Sequence, residues 1–366
     1  MKAIMNRGYN FGAGPSMLPE PILREAQQEL LNWQNSGMSI MEIGHRTPEF
    51  THLMAEAEHD LRDILKIPTN YHILFLGSAA RMQFGMIPLN FLSEHQQAGY
   101  LITGLWSSIA YQEACKLKKA YCVATDEQHG FTNIPATSEW QIAENTSYLY
   151  FTSNETINGI RFPQEPKIPG IPLIADMTSS LLSEPVQVQN YDLIFAGAQK
   201  NIANAGLTVV IVKDEFLDTI GKKTLPTMLD YRIHVAEKSI YATPPTFNCY
   251  LAAKMFQWIK VQGGIDALYA VNCKKAAKLY SYIDSSSFYY CKVAREARSL
   301  VNVCFNLKDA TLEELFIAQA HKRNLLALKG HRAVGGLRAS IYNAMPLEGV
   351  NALIEFMCDF AKEYDR

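Results

Sequence analysis

Lys200 stands next to last in the stretch DLIFAGAQKN at residues 192–201, in which Leu193, Ile194 and Phe195 predict a buried strand and the small Ala196, Gly197 and Ala198 lead out of it. The carboxyl end of a strand in an open α/β sheet is where ligands bind. A lysine desolvated there loses its proton near neutral pH and can attack a carbonyl carbon to form an imine. A solvated lysine after a strand is the plainer reading, and this stretch alone leaves both open. Three more strand ends carry chemistry. Asp176 follows a strand at 172–175, Thr156 follows one at 147–151 through the polar run Ser153, Asn154 and Glu155, and Trp106 follows one at 99–103. Each alone has a bland reading, Trp106 as a core residue above all. Together an amine, an acid, a hydroxyl and a flat aromatic ring on one rim predict a ligand site.

Three segments are candidates for holding anions. Gly77, Ser78, Ala79, Ala80 and Arg81 form a small-residue turn between a strand at 72–76 and an apolar helix at 82–92, the geometry in which backbone N–H groups and the helix dipole receive a phosphate. Only one of these turn residues is glycine, and many βα turns look alike. The stretch KGHRAVGGLR at 329–338 sets Lys329, His331, Arg332 and Arg338 among flexible glycines. Such a turn either wraps a dianion with forked donors or is a solvated basic hairpin. His45 and Arg46 precede the helix that Thr47, Pro48 and Glu49 open, where the helix dipole does not favour a cation, so Arg46 is either solvated or anion-binding.

The elements that must position these residues follow from periodicity. Strands alternating with helices from 72 to 212 predict a mostly parallel, doubly wound sheet. Helices are expected at 19–35, from Thr47 to Leu65, at 247–261, and from Gly264 to about Ile283. A second, smaller α/β unit then reads as a strand at 300–305, a helix at 311–322, strands near 325–328 and at 337–342, and a helix at 347–362. This places a large domain at 16–260 and a small carboxyl-terminal domain at 261–366, with residues 1–15 packing on the latter.

The 366 residues suffice for two such domains, and a net charge of −2 supplies neither a basic stripe for nucleic acid nor an acidic tail. The seven cysteines are scattered and never spaced CxxC, which favours reduced thiols over a disulfide framework or a metal site. The amino terminus lacks the apolar core of a signal peptide, and no run approaches about 18 apolar residues, so a soluble cytoplasmic protein is expected.

The strings NFGAGPSMLP, HRTPEF, SNETINGI, AGAQKN followed by AGLTVVIV, TPPTF, and KGHRAVGGLRASIYNAMPLEGV resemble phosphoserine aminotransferases. The resemblance covers essentially the whole chain. It implies an α/β protein with the PLP-dependent transferase fold of the aspartate aminotransferase type, fold type I, and pyridoxal 5'-phosphate (PLP) as cofactor. It implies that Lys200 holds the cofactor and moves the proton, that Asp176 pairs with the ring nitrogen, and that Trp106 stacks on the ring. Thr156 would meet the ring hydroxyl, while Gln199 and the backbone at Ala80 and Arg81 would meet the phosphate. Ala242 and Thr243 would reach that phosphate from a second subunit, making a homodimer with shared sites. Arg338 would take the substrate α-carboxylate, with His45, Arg46, Arg81, His331 and Arg332 around its phosphate or side-chain carboxylate. The implied reaction converts 3-phosphohydroxypyruvate and glutamate to phosphoserine and 2-oxoglutarate, and the family also transaminates a phosphorylated hydroxythreonine precursor in pyridoxine synthesis.

The sequence departs from the family pattern at the phosphate. Relatives usually carry a glycine triplet where this chain has Ser78, Ala79 and Ala80, and an asparagine where it has Ala242. Ala13 stands where a serine is frequent. Alanine serves in the turn only if φ is negative there. A lost hydrogen bond to a charged phosphate costs about 1.5–3 kcal/mol unless the Ser78 hydroxyl replaces it. A same-fold aminotransferase with a shifted substrate, or a non-catalytic homologue that binds PLP weakly, are the alternatives.

Overall fold

The computed structural model describes residues 7–365. The chain begins with β1 (Tyr9–Asn10), α1 (Glu20–Glu29) and α2 (Pro48–Leu65), and then enters the main sheet through β2 (Tyr71–Leu76), α3 (Arg81–Phe91), β3 (Gln97–Ile102), α4 (Leu105–Leu117) and β4 (Ala120–Thr125). It continues through β5 (Thr146–Thr152), a small hairpin of β6 (Asn154–Glu155) and β7 (Ile160–Arg161), then β8 (Leu173–Asp176), β9 (Leu193–Gly197) and β10 (Thr208–Lys213). After α5 (Asp214–Asp218) and α6 (Tyr231–Ala236) come the long α7 (Thr246–Val261) and α8 (Gly264–Ser285). The last part holds β11 (Tyr289–Tyr290), β12 (Asn302–Leu307), α9 (Glu313–Lys322), β13 (Leu325–Leu326), β14 (Leu337–Ser340) and α10 (Leu347–Tyr364).

Seven strands form the main sheet in the order β2-β10-β9-β8-β5-β3-β4. Every neighbour pair is parallel except those of β10, which runs against both β2 and β9. β2 and β9 therefore point the same way as the parallel strands, and their carboxyl ends share one rim. The central strands β8 and β9 are buried at every position, as strands covered on both faces must be. One face packs under α2 and α7 through Phe50, Leu53, Leu61, Tyr250 and Phe256, and the other under α3 through Phe84, Ile87 and Phe91.

A separate core holds Val303, Phe305, Phe316, Leu353, Phe356 and Phe360 of the later elements, and Phe11 belongs to it. β1 pairs in parallel with β13, so the described part of the amino-terminal segment lies against these elements; residues 1–6 fall outside the described chain. Helix α8 contributes Ile265 and Leu268 to the large core and Leu279 and Ile283 to the smaller one. The junction between the two thus runs along a helix rather than through a loop.

Several local expectations change. The helix expected at 19–35 stops at Glu29, because Asn32 Oδ1 accepts the Gly37 N–H at 2.8 Å and Gln34, Asn35 and Gly37 take positive φ, closing a turn around the buried Trp33. Turn chemistry outweighs helical spacing there. Leu105 and Trp106 do not end a strand but open α4. Strand β14 ends at Ser340, and the following turn is held by the buried Lys275, whose amine donates to the carbonyls of Ile341, Tyr342 and Met345 at 3.0, 2.8 and 3.0 Å. No helix among the described residues is long and apolar enough to cross a membrane, and no cluster of three or more His, Cys, Asp or Glu is placed to bind a metal there.

Candidate active site

Five strand ends converge on one pocket, lined by Ala80, Arg81 and Phe84 from the start of α3, Trp106 from α4, Thr152, Asn154 and Thr156 after β5, Asp176, and Gln199 with Lys200 after β9. The amine, acid, hydroxyl and indole expected on one rim are therefore brought together. Asp176 ends β8, and its Oδ1 accepts the Thr178 N–H at 2.8 Å, which orients the carboxylate. Lys200 is 7% exposed, and Nζ donates to the Ala13 carbonyl of the amino-terminal loop. The guanidinium of Arg81 lies 4.9 Å from the Trp106 ring centroid, within cation–π range.

Burial sets the charges. It lowers the Lys200 amine to about 7, with the Arg338 cation adding to the effect and Asp176 opposing it. It raises Asp176 to about 6, against the Thr178 hydrogen bonds and the Lys200 charge. At neutral pH a large fraction of Lys200 is a free amine, the nucleophilic form. The buried carboxylate beside it retains most of its charge.

The turn before α3 accepts its departures from glycine. Ala80 takes φ −51° and ψ −31°, and neither Ser78 nor Ala79 has a positive φ, so alanine is unstrained at each position. The Ser78 hydroxyl is buried without a hydrogen-bond partner, as are Thr152 Oγ1 and Asn154 Oδ1. A flat heteroaromatic ring carrying polar substituents and a phosphate suits this donor set. Trp106 and Phe84 offer apolar wall, Thr152, Asn154 and Asp176 offer polar contacts, and the first residues of α3 line the pocket where a helix start suits a phosphate.

Arg338 lines a separate cavity with Asn158 and Cys304, and meets this pocket only through Thr156, its Nη1 3.4 Å from the Thr156 carbonyl and its Nε buried without a partner. The remaining candidates do not line the pocket within one chain. His45 is partly buried with Nε2 unpartnered, Arg46 and Arg332 are exposed, and His331 is partly buried, its pKa lowered by burial and by Arg338 and Arg332. Ala242 and Thr243 are exposed, but Pro245 after them rests on the turn before α3, where a Cβ on Gly77 would lie 2.9 Å from its Cδ.

Sequence reasoning missed Ala13, Tyr342 and Glu155 as parts of the site. Glu155 stood only within a polar run, and nothing local marks the other two.

The match to a family description, aminotransferase class-V, spans residues 8–353. A phosphoserine aminotransferase of Legionella pneumophila is 61% identical over 358 residues, covering 98% of this chain and 99% of its own. The chain belongs to the phosphoserine aminotransferase family. A solved phosphoserine aminotransferase from Bacillus circulans superposes with a TM-score of 0.94 at 42% identity, covering 98% of this chain and 99% of that one. A PLP-bound phosphoserine aminotransferase from Trichomonas vaginalis gives 0.91 at 41% identity, covering 96% and 100%. Membership brings the PLP-dependent aminotransferase fold, transaminase chemistry and PLP as cofactor.

Proposed function

We propose that the chain transfers an amino group between glutamate and 3-phosphohydroxypyruvate, as a homodimer in which each pocket is completed by the other subunit. The observation that carries this reading is the buried Lys200 amine beside Asp176, in a pocket walled by the start of α3, with Arg338 reaching the carbonyl of Thr156, one of its lining residues.

When bound, PLP supplies a ring that accepts the electron pair left as a substrate Cα–H bond breaks. Lys200 would hold the cofactor through Nζ, and the same amine is placed to carry the proton removed from the substrate Cα. Asp176 keeps the ring nitrogen protonated, and its retained negative charge suits that task. Thr156 would hold the ring hydroxyl, Trp106 would cover one face, and Gln199 with the Ala80 and Arg81 amides would receive the phosphate. Ala242 and Thr243 of the partner subunit close the phosphate cup.

Substrate selection rests on arginines. Arg338 takes the α-carboxylate by forked donation. His45, Arg46, Arg81, His331 and Arg332 surround the distal group, which is a phosphate in one half-reaction and a carboxylate in the other. A second copy supplies those the single chain leaves outside the pocket. The same clamp suits a phosphorylated hydroxythreonine, the corresponding step of pyridoxine synthesis. Seven free thiols fit a reducing cytoplasm.

The test is spectroscopic and kinetic. Purified protein with added PLP should absorb in the visible, Lys200→Ala should lose that absorption, and glutamate should bleach it. A coupled assay should prefer phosphohydroxypyruvate to oxaloacetate; equal rates count against this substrate.

A further inference from the structure

Glu155 is fully buried, and both its carboxylate oxygens are spent on the first turn of α4. Oε2 accepts the Trp106 N–H at 3.0 Å, while Oε1 accepts the Ser107 N–H at 2.8 Å and the Ser107 hydroxyl at 2.6 Å. Three residues further on, Asn158 Oδ1 accepts the Leu105 N–H at 3.2 Å. The first three amides of α4 are thus held by one hairpin, since the capping position is Gly104, which has no side chain to offer. The approach is tight: a Cβ on Gly104 would sit 2.5 Å from Glu155 Cδ.

Burying a carboxylate this deeply is costly, and a surface cap would satisfy the same amides without that cost. Burial lifts the Glu155 pKa to about 7 even against its three donors. The location accounts for the expense. The next residue, Thr156, lines the pocket, and its carbonyl meets Arg338. On the other side of Glu155, Asn154 Nδ2 donates to Ser179 and Asn302 at 2.8 Å each, tying the hairpin to both cores. Trp106 occupies the second position of α4, at an end that frays when its amides are unheld.

We propose that Glu155 is a positioning residue whose two-oxygen grip on the Trp106 and Ser107 amides fixes the Trp106 indole as the wall against which the cofactor ring lies. This rests on the placement of PLP against Trp106 given above. Its consequence is a division of labour within one dipeptide: Glu155 sets the wall beside the ring, and Thr156 meets the ring itself.

Glu155→Gln is nearly isosteric, but its amide nitrogen turns one acceptor into a donor and must face either the Trp106 N–H or the Ser107 pair. The PLP-loaded protein is read by the visible circular dichroism induced in the cofactor, by the PLP dissociation constant, and by borohydride fixation at Lys200. Glu155→Gln should raise the dissociation constant about tenfold, the loss of one hydrogen bond to a charged group. Its induced dichroism should fall toward that of Trp106→Phe, with fixation at Lys200 intact at saturating PLP. Gly104→Ala, which pushes on Glu155 Cδ, should move both readouts the same way and decides the matter if Glu155→Gln does not fold. A merely structural role lowers the melting temperature but leaves the dichroism per bound cofactor unchanged, and that result overturns the proposal. Visible absorption retained in Lys200→Ala would instead overturn the cofactor placement itself, a separable failure.

Discussion

The Lys200 amine lies 5.8 Å from the ring centroid of Tyr342, and the Tyr342 hydroxyl donates at 2.9 Å to the Ala13 carbonyl that also accepts from Lys200. Asn302 Nδ2 donates to the same hydroxyl at 2.9 Å. Tyr342→Phe keeps the ring and removes both bonds, leaving Asn302 Nδ2 with Ser340 Oγ alone and one of its two N–H groups buried without an acceptor. The variant should lose about 1–3 kcal/mol of stability. Chemical denaturation of the cofactor-free protein measures this, and an unchanged midpoint would contradict the network.

Cofactor uptake should follow the titration of Lys200. Only the neutral amine attacks, so the rate at which cofactor-free protein acquires visible absorption should rise with pH through about 7. The Arg338 charge helps hold Lys200 down, so Arg338→Met should move that rise to higher pH. No shift would show that the Arg338 charge does not act on the lysine, and a shift to lower pH would reverse the expected sign of the coupling.

The same lysine is a thermodynamic burden. Between about 7 and its ordinary 10.5 the unfolded amine carries a proton that the folded one has lost, so stability from this group increases with pH across that window. Below about 7 both states are protonated and the whole penalty stands. Lys200→Met should therefore be more stable than the cofactor-free parent at pH 6, by a few kcal/mol, with the gap narrowing toward pH 10. Thermal melts at the two pH values provide the comparison.

Subunit sharing predicts complementation. Lys200→Ala and Arg46→Ala homodimers should each be nearly inactive. If Arg46 serves the neighbour's pocket, subunits exchanged at random should recover about a quarter of the parental rate, because half the dimers are hybrids with one intact site of two. No recovery after verified exchange would place Arg46 in its own subunit's site, and an active Arg46→Ala homodimer would place it outside both.

The pocket rim was legible because the main sheet follows a simple rule: apolar strand runs end in polar residues, and strands pointing the same way gather those ends. Lys200, Asp176, Thr156 and Trp106 needed nothing more. Ala13 and Tyr342 were not legible, since their contact joins residues 329 apart through a carbonyl that carries no side-chain signal. Lys275 was hidden for a similar reason, as its partners are three backbone oxygens of a turn that periodicity reads as strand. The helix expected at 19–35 failed where Asn32, Asn35 and Gly37 supply turn geometry stronger than the apolar spacing. His45, Arg46, Ala242 and Thr243 lie outside the pocket of one chain, so no reading of a single subunit's geometry assigns them work.

The contact of Pro245 with Gly77 joins two equilibria. In the proposed dimer the segment beginning at Ala242 reaches toward the neighbour, and the same segment leans on the turn proposed to receive the cofactor phosphate. Whatever separates the subunits also loosens that cup. Mass action then makes the retained cofactor a function of protein concentration: dilution should bleach the protein along the same curve on which it becomes monomeric, and added PLP should drive the subunits back together.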